Sequence, residues 1–137
     1  MATRSLIGKQ NPDGSVHAVY CHNDGYIIGG VGEILVNYYA TEAKLDLLLD
    51  GGGMSSLGKT LESTDFYRGK RGEESVNNDA TQYVNTIDFK RGCRDCDADY
   101  AYLYKNGTWH FTKRRSDYKE FDIVKKHIKN PAGRKVG

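Results

Sequence analysis

The stretch from Tyr100 to Lys113, "YAYLYKNGTWHFTK", constrains the fold more than any other part of the sequence. Asn106-Gly107 is a preferred pair for a two-residue hairpin turn, because both central positions require a positive φ. The turn fixes the register, and the predicted pairs are Tyr104 with Trp109 and Tyr102 with Phe111. We therefore expect an antiparallel hairpin with one aromatic face, and we expect exposed aromatics of this hairpin, Tyr102, Tyr104 and Trp109, to bind a partner.

A second hairpin is predicted near the start of the sequence. The segments "RSLIG" (4–8) and "VHAVYCH" (16–22) flank "KQNPDGS", in which Pro12 and Gly14 are turn residues. The second segment alternates apolar and mixed positions, as expected of a strand with one buried face.

Helical spacing follows this hairpin. Apolar residues recur with that period over 31–40, and Thr41 is a good N-cap for "EAKLDLLLD", whose leucines form one stripe that ends at Gly51. A further helix is predicted over 116–128, and a strand over 81–89. The segment 50–80 is predicted to be a long loop, and whether it is ordered on its own stays open.

Together these elements predict an α+β fold. The mainly antiparallel sheet is built from two β-hairpins, with two central helices and one C-terminal helix. The 137 residues suit a single domain, which we place at 1–128, followed by a basic and flexible tail at 129–137.

The stretch "GGGMSSLGKT" contains the phosphate-loop pattern from Gly53 to Thr60. A working phosphate loop needs a buried strand before it and a helix that begins at its Ser or Thr. The segment before Gly51 instead has the pattern of an amphipathic helix, so a helix end followed by a turn is the favoured interpretation. A nucleotide-binding enzyme stays as a remote alternative.

Cys93 and Cys96 in "GCRDCDAD" have the spacing of half a zinc site. Cys21 and His22 are candidates for the other two ligands, although neighbouring residues on a strand point to opposite faces. Reduced cysteines without a metal are the favoured interpretation. Zn²⁺ and a redox pair are alternatives.

Two polar segments are candidate binding loops. The first, "YCHNDGY", places His22, Asp24 and Tyr26 at the end of a predicted strand, where binding residues are often carried. The second, "YRGKRGEE", concentrates Arg68, Lys70 and Arg71, whose side chains suit phosphate or an acidic partner.

Charge is divided unevenly along the chain. Residues 105–137 contain 10 basic and 3 acidic side chains, although the net charge of the whole chain is +2. The basic C-terminal third of the chain predicts nucleic-acid binding as an alternative function. The sequence contains no apolar run that could cross a bilayer and no secretory signal at its start, so we expect a cytoplasmic protein that does not bind membranes.

An ordered set of motifs resembles a group of small proteins encoded by phages and prophages. The motifs are "SLIG" (5–8), "YCHNDGY" (20–26), "GVGEILVNYY" (30–39), "SSLG" (55–58), "YRGKRGEE" (67–74) and "YAYLYKNGTW" (100–109). The resemblance implies a setting inside an infected bacterium rather than an activity. In that group "SSLG" lacks the Lys-Thr that follows it here.

Small phage accessory proteins often bind and block a host nuclease, a CRISPR effector or a signalling nucleotide of a defence system. The resemblance therefore implies a non-enzymatic inhibitor whose partner is a host protein or a defence signalling nucleotide. Homo-oligomer formation stays open.

Overall fold

The computed structural model describes residues 2–68 and 79–128. These residues form an α+β fold, in which helices pack on one open, mostly antiparallel sheet. The strands are β1 (Ser5–Gln10), β2 (Val16–Cys21), β3 (Met54–Ser56), β4 (Asp65–Phe66), β5 (Thr81–Tyr83), β6 (Tyr100–Lys105), β7 (Thr108–Lys113) and β8 (Asp122–Ile123). The helices are α1 (Val31–Tyr38), α2 (Glu42–Gly51) and α3 (Thr86–Asp95). Short 3₁₀ turns cover Arg114–Ser116 and Val124–His127.

Both predicted hairpins are confirmed. β1 pairs with β2, and β6 pairs with β7 in the expected register, with Tyr104 opposite Trp109. Asn106 and Gly107 have φ of 54° and 76°, as the tight turn requires. The strand order is β4-β3-β2-β1-β6-β7-β8, and β5 pairs with β2. The parallel pairing of β1 with β6 therefore joins the two hairpins.

Both faces of the sheet are covered. Ile7 and Tyr102 lie in the core beneath α1 and α2, whereas Leu6 and Leu103, their sequence neighbours, lie in a second core beneath α3. Successive strand residues point to opposite faces, so each central strand supplies both cores. The sheet is thus a middle layer with a core on each of its faces.

The two central helices are confirmed. Thr41 caps α2, because its hydroxyl accepts a hydrogen bond from the Lys44 amide at 3.3 Å. The stripe of Leu45, Leu48 and Leu49 is fully buried. The left-handed residue at the end of the helix is Gly52, with φ 85°, one position later than predicted.

The predicted C-terminal helix over 116–128 is wrong. Asp117 and Tyr118 take φ of 58° and 54°, which no right-handed helix allows. Tyr118 is buried in the core beneath α3, and Val124 is buried in the opposite core. The apparent helical stripe is therefore divided between the two faces of the sheet, because this segment passes around its edge.

The predicted strand over 81–89 is correct only for β5. Asn85 then caps α3, accepting a hydrogen bond from the Asp88 amide at 2.8 Å. Phe89 and Cys93, one turn apart, form the buried stripe of α3. The segment predicted as a loop over 50–80 contains β3 and β4, and its residues 69–78 lie outside the described part.

The α-helices in the described ranges are 8 to 10 residues long. None of them is long and apolar enough to span a membrane. The predicted basic tail, 129–137, lies outside these ranges.

Candidate functional site

The main candidate site is a cleft at the sheet edge where β1 and β6 begin. The cavity has a volume of about 580 Å³. Its charged and aromatic lining consists of Arg4, Tyr26, Asp97, Asp99, Tyr100 and Arg114. We call it the arginine cleft. Its volume lies within the usual range of small-molecule sites, about 300–1,000 Å³.

Backbone hydrogen bonds bring distant segments together at this edge. The amides of Asp99 and Tyr100 donate to the Arg4 carbonyl at 2.8 and 3.2 Å, and the Arg114 amide donates to the Asp99 carbonyl at 3.0 Å. The Gly25 amide donates to the Thr3 carbonyl at 2.8 Å, which fixes the loop after β2 beside the cleft. The position of each lining residue is thus set by the parallel β1–β6 pairing and its neighbours.

The charges of the arginine cleft are mixed. Arg114 Nη1 lies 3.4 Å from Asp97 Oδ1, and Arg114 Nε lies 3.9 Å from Asp99 Oδ1. Arg4 Nη1 lies 3.9 Å from Asp97 Oδ2. Two guanidinium groups therefore share two carboxylates, at distances longer than the 2.7–2.9 Å of a strong charge-assisted hydrogen bond.

Two tyrosines give the cleft an aromatic component. Tyr26 is 39% exposed, and its hydroxyl donates to Asp24 Oδ1 at 2.9 Å. That hydrogen bond, followed by the charge of Asp24, raises the pKa of Tyr26. Tyr100 is half-buried and stacks on Tyr102, with ring centroids 6.0 Å apart. Guanidinium groups beside aromatic rings can bind a ligand that carries both a ring and an anionic group.

A second cleft lies at the opposite end of the β1–β6 pair, between the two hairpin turns. It has a volume of about 590 Å³ and is lined in part by Lys9, Tyr104 and Lys105. Lys9 Nζ lies 2.7 Å from Glu42 Oε2 and 2.8 Å from Asp46 Oδ1. These short contacts engage the lysine with α2.

The aromatic residues predicted to bind through the last hairpin are mostly internal. Tyr102 is fully buried and Trp109 is 4% exposed. The Tyr102 hydroxyl donates to the Gly25 carbonyl at 2.6 Å, and Trp109 Nε1 donates to the Tyr39 carbonyl at 2.9 Å. The expectation that these two side chains are exposed is wrong, because α1 and the loop that precedes it cover this face. Tyr104 is half-buried and lines the second cleft.

The side chains of the predicted binding loop, His22, Asp24 and Tyr26, do not all lie at one site. Tyr26 lines the arginine cleft, and Asp24, at φ 59°, holds the Tyr26 hydroxyl. His22 Nδ1 instead lies 2.7 Å from the Tyr20 hydroxyl. Burial raises the pKa of Tyr20 to about 12.

The predicted binding loop of Arg68, Lys70 and Arg71 has one described basic residue, Arg68, which does not line the arginine cleft. Arg68 Nη1 donates to the Asp50 carbonyl at 2.7 Å, and Nη2 donates to Asp79 Oδ1 at 2.6 Å. These bonds tie the chain near β4 to the end of α2. Lys70 and Arg71 lie outside the described residues.

The phosphate-loop pattern has the required residues but a different backbone. Helix α2 precedes it, β3 passes through it, and the residues after Thr60 form a turn in which the Ser63 amide donates to Thr60 Oγ1 at 3.1 Å. Lys59 Nζ lies 5.7 Å from the ring centroid of Tyr38. The strand and helix that present phosphates to such a loop are not placed around it.

The sheet separates Cys21 from Cys93 and Cys96. Cys93 lies in the core beneath α3, and Cys21 lies in the core on the opposite face, so Cys21 is not placed to complete a site with Cys93. Burial raises the pKa of both Cys93 and Cys96, which disfavours the thiolate that metals bind. Over 2–68 and 79–128, no group of three His, Cys, Asp or Glu residues is placed to hold a metal ion.

Sequence reasoning did not identify Arg4, Asp97, Asp99, Tyr100 or Arg114 as site residues. They come from three segments of the chain that meet through the β1–β6 and β6–β7 pairings. Comparisons of the chain with protein-family models, with curated proteins and with solved structures gave no match.

Proposed function

We propose that this protein is a phage-encoded accessory protein that acts by binding, and that it inhibits or sequesters a host factor of an anti-phage or CRISPR defence system. The factor is a host protein or a signalling nucleotide. The arginine cleft is the observation that favours the nucleotide, because it combines two guanidinium groups with two tyrosine rings.

A nucleotide fits the chemistry of this cleft. Guanidinium groups recognise phosphate oxygens through pairs of N–H donors, and aromatic rings stack on bases. Arg4 and Arg114 are partly exposed, at 40% and 55% of the side chain, so their donors are accessible from the cavity. A stoichiometric binder requires such contacts and no catalytic group.

The test is calorimetric titration of the purified protein with a panel of cyclic mononucleotides and cyclic dinucleotides. We expect at least one to bind the wild type, and we expect Arg114→Gln to weaken its affinity by about 10-fold to 100-fold, as for a lost hydrogen bond to a charged group. Arg115→Gln is the matched control, because Arg115 is exposed and lies outside the described lining of the cleft. Its affinity should equal that of the wild type.

A pull-down from bacterial lysate tests the host-protein form of the proposal. Recovery of no host protein, together with no nucleotide binding in the calorimeter, would contradict the proposed function. Equal weakening by Arg114→Gln and Arg115→Gln would show that nucleotide binding is a general charge effect and does not occur at the arginine cleft.

A further inference from the structure

The position of Asp97 in the arginine cleft is determined by its backbone. Helix α3 ends there in a Schellman motif, in which the Ala98 amide donates to the Cys93 carbonyl at 2.9 Å and the Asp97 amide donates to the Arg94 carbonyl at 3.2 Å. Asp97 takes φ 57°, the left-handed conformation that this motif requires. The buried Tyr118 hydroxyl donates to the Ala98 carbonyl and holds the turn from below.

The Asp97 side chain is held much more loosely than its backbone. Its carboxylate is 65% exposed, and it reaches Arg114 at 3.4 Å and Arg4 at 3.9 Å. Ion pairs of this exposure and length contribute little free energy. Rotation of the Asp97 side chain into solvent would therefore cost little; it would release the Arg4 guanidinium and leave that of Arg114 with only its 3.9 Å contact to Asp99 Oδ1.

Asp99 differs from Asp97 although it lies in the same cleft. Its Oδ2 accepts a hydrogen bond from the Arg4 amide at 3.1 Å, and its backbone carbonyl accepts from the Arg114 amide at 3.0 Å. Asp99 therefore positions the segments that carry the two arginines. Only one of the two carboxylates, that of Asp97, is available for exchange.

From this contrast we infer that Asp97 is an internal competitor for an anion subsite, and that Arg4 and Arg114 bind a phosphate group of the ligand when the Asp97 carboxylate leaves. This inference rests on the proposed function in that it assigns the phosphate-binding part of the same cleft. The ligand class is a phosphate monoester or diester attached to a ring that reaches Tyr26 or Tyr100. Asp97 sets the affinity for this group and prevents other small anions from occupying the subsite.

The experiment measures inorganic phosphate binding by NMR titration of the ¹⁵N-labelled full chain at constant ionic strength and pH 7. We expect Asp97→Asn to bind phosphate about 3-fold to 30-fold more tightly than the wild type, because two weak ion-pair contacts no longer compete. The amide signals that shift should include those of Arg4, Asp99 and Arg114. Asparagine tolerates the left-handed backbone, so the turn is kept.

Asp95→Asn is the matched control. It removes the same charge two residues earlier, at an exposed position outside the described lining of the cleft. We expect its phosphate affinity to stay within about twofold of the wild type, since separated exposed charges are largely screened. Adding Arg114→Gln to Asp97→Asn should remove the gain.

An equal gain in Asp97→Asn and Asp95→Asn would overturn the inference, and so would no gain in Asp97→Asn. Asp97→Gly is a second variant, because glycine is the residue that this backbone position prefers. If no nucleotide binds the wild type but Asp97→Asn gains phosphate affinity, the nucleotide form of the proposed function fails and the subsite stands. If a nucleotide binds through Arg114 and Asp97→Asn gains no phosphate affinity, the nucleotide form of the proposed function stands and the inference about Asp97 fails.

Discussion

The two ends of the β1–β6 pair carry charged clefts of similar size that are held together very differently. At the turn end, Lys9 is only 14% exposed and contacts Glu42 and Asp46 at 2.7 and 2.8 Å. At the starting end, Asp97 is 65% exposed and reaches the two arginines at 3.4 and 3.9 Å. Both clefts contain opposite charges, but only the cleft at the turn end has them in close contact.

The difference shows that a cluster of charges has to be judged by distance and burial. Lys9 buries its aliphatic stem, and its ammonium group contacts two carboxylates of α2. These contacts stabilise the packing of α2. In the arginine cleft the long contacts leave guanidinium donors available to a ligand. We therefore expect variants at the starting end to change binding and variants at the turn end to change stability.

The largest expected effect is that of Tyr102→Phe, which removes the hydroxyl that holds the loop after β2 at the arginine cleft. This buried hydroxyl donates to the Gly25 carbonyl at 2.6 Å. Its loss leaves a buried carbonyl without its donor, so we expect the free energy of unfolding to fall by about 1–3 kcal/mol. Urea denaturation with linear extrapolation measures this change.

Tyr104→Phe is the control for Tyr102→Phe. Its hydroxyl donates to the Ala40 carbonyl at 3.0 Å in an exposed bond, where water can replace it. We expect a change within about 0.5 kcal/mol. If Tyr104→Phe cost as much as Tyr102→Phe, the loop would not depend on its hydroxyl anchor.

A smaller effect is expected for Lys9→Met, which keeps the apolar stem and removes the ammonium group. The two short ion pairs with α2 are lost, and we expect the free energy of unfolding to fall by about 0.5–1 kcal/mol. Arg114→Gln should change it by less than about 0.5 kcal/mol, because its contacts are long. Equal losses in the two variants, measured by urea denaturation, would remove the distinction between the two ends.

The smallest effect is the pH dependence of the Lys9 contribution. Burial alone would lower the pKa of Lys9, but its hydrogen bonds to Asp46 and Glu42 outweigh burial and raise the pKa. The contribution is thus fully present below the unfolded-state pKa of about 10.4 and is lost as pH rises through the folded-state value. The stability difference between wild type and Lys9→Met should be constant from about pH 7 to 9.5 and should shrink above about pH 10.5. A difference that grows with pH would contradict this assignment.

Elements fixed by neighbouring residues were predictable from the sequence. The Asn106-Gly107 turn determines the pairing of Tyr104 with Trp109 without help from the rest of the chain. The Thr41 cap and the leucine stripe that ends near Gly52 likewise specify α2. In these cases the signal and the structure are both local.

Elements that depend on distant partners were not predictable. The parallel β1–β6 pairing leaves no local signal, yet it joins the two hairpins into one sheet. The covering of Tyr102 by α1 and the loop before it is likewise a contact between distant segments. The segment around Tyr118 has helical spacing, but its apolar residues belong to two cores on opposite faces of the sheet. Of the arginine cleft, only Tyr26 was anticipated, because its loop ends a predicted strand.

The contact between Arg4 and Asp99 joins positions 95 residues apart in the sequence. During translation, the segment that carries Arg4 is therefore synthesised long before the segment that carries Asp99. The first hairpin is complete before β6, the strand that pairs with β1, has been synthesised. A nascent chain that has not yet exposed Arg114 lacks part of the lining of the arginine cleft.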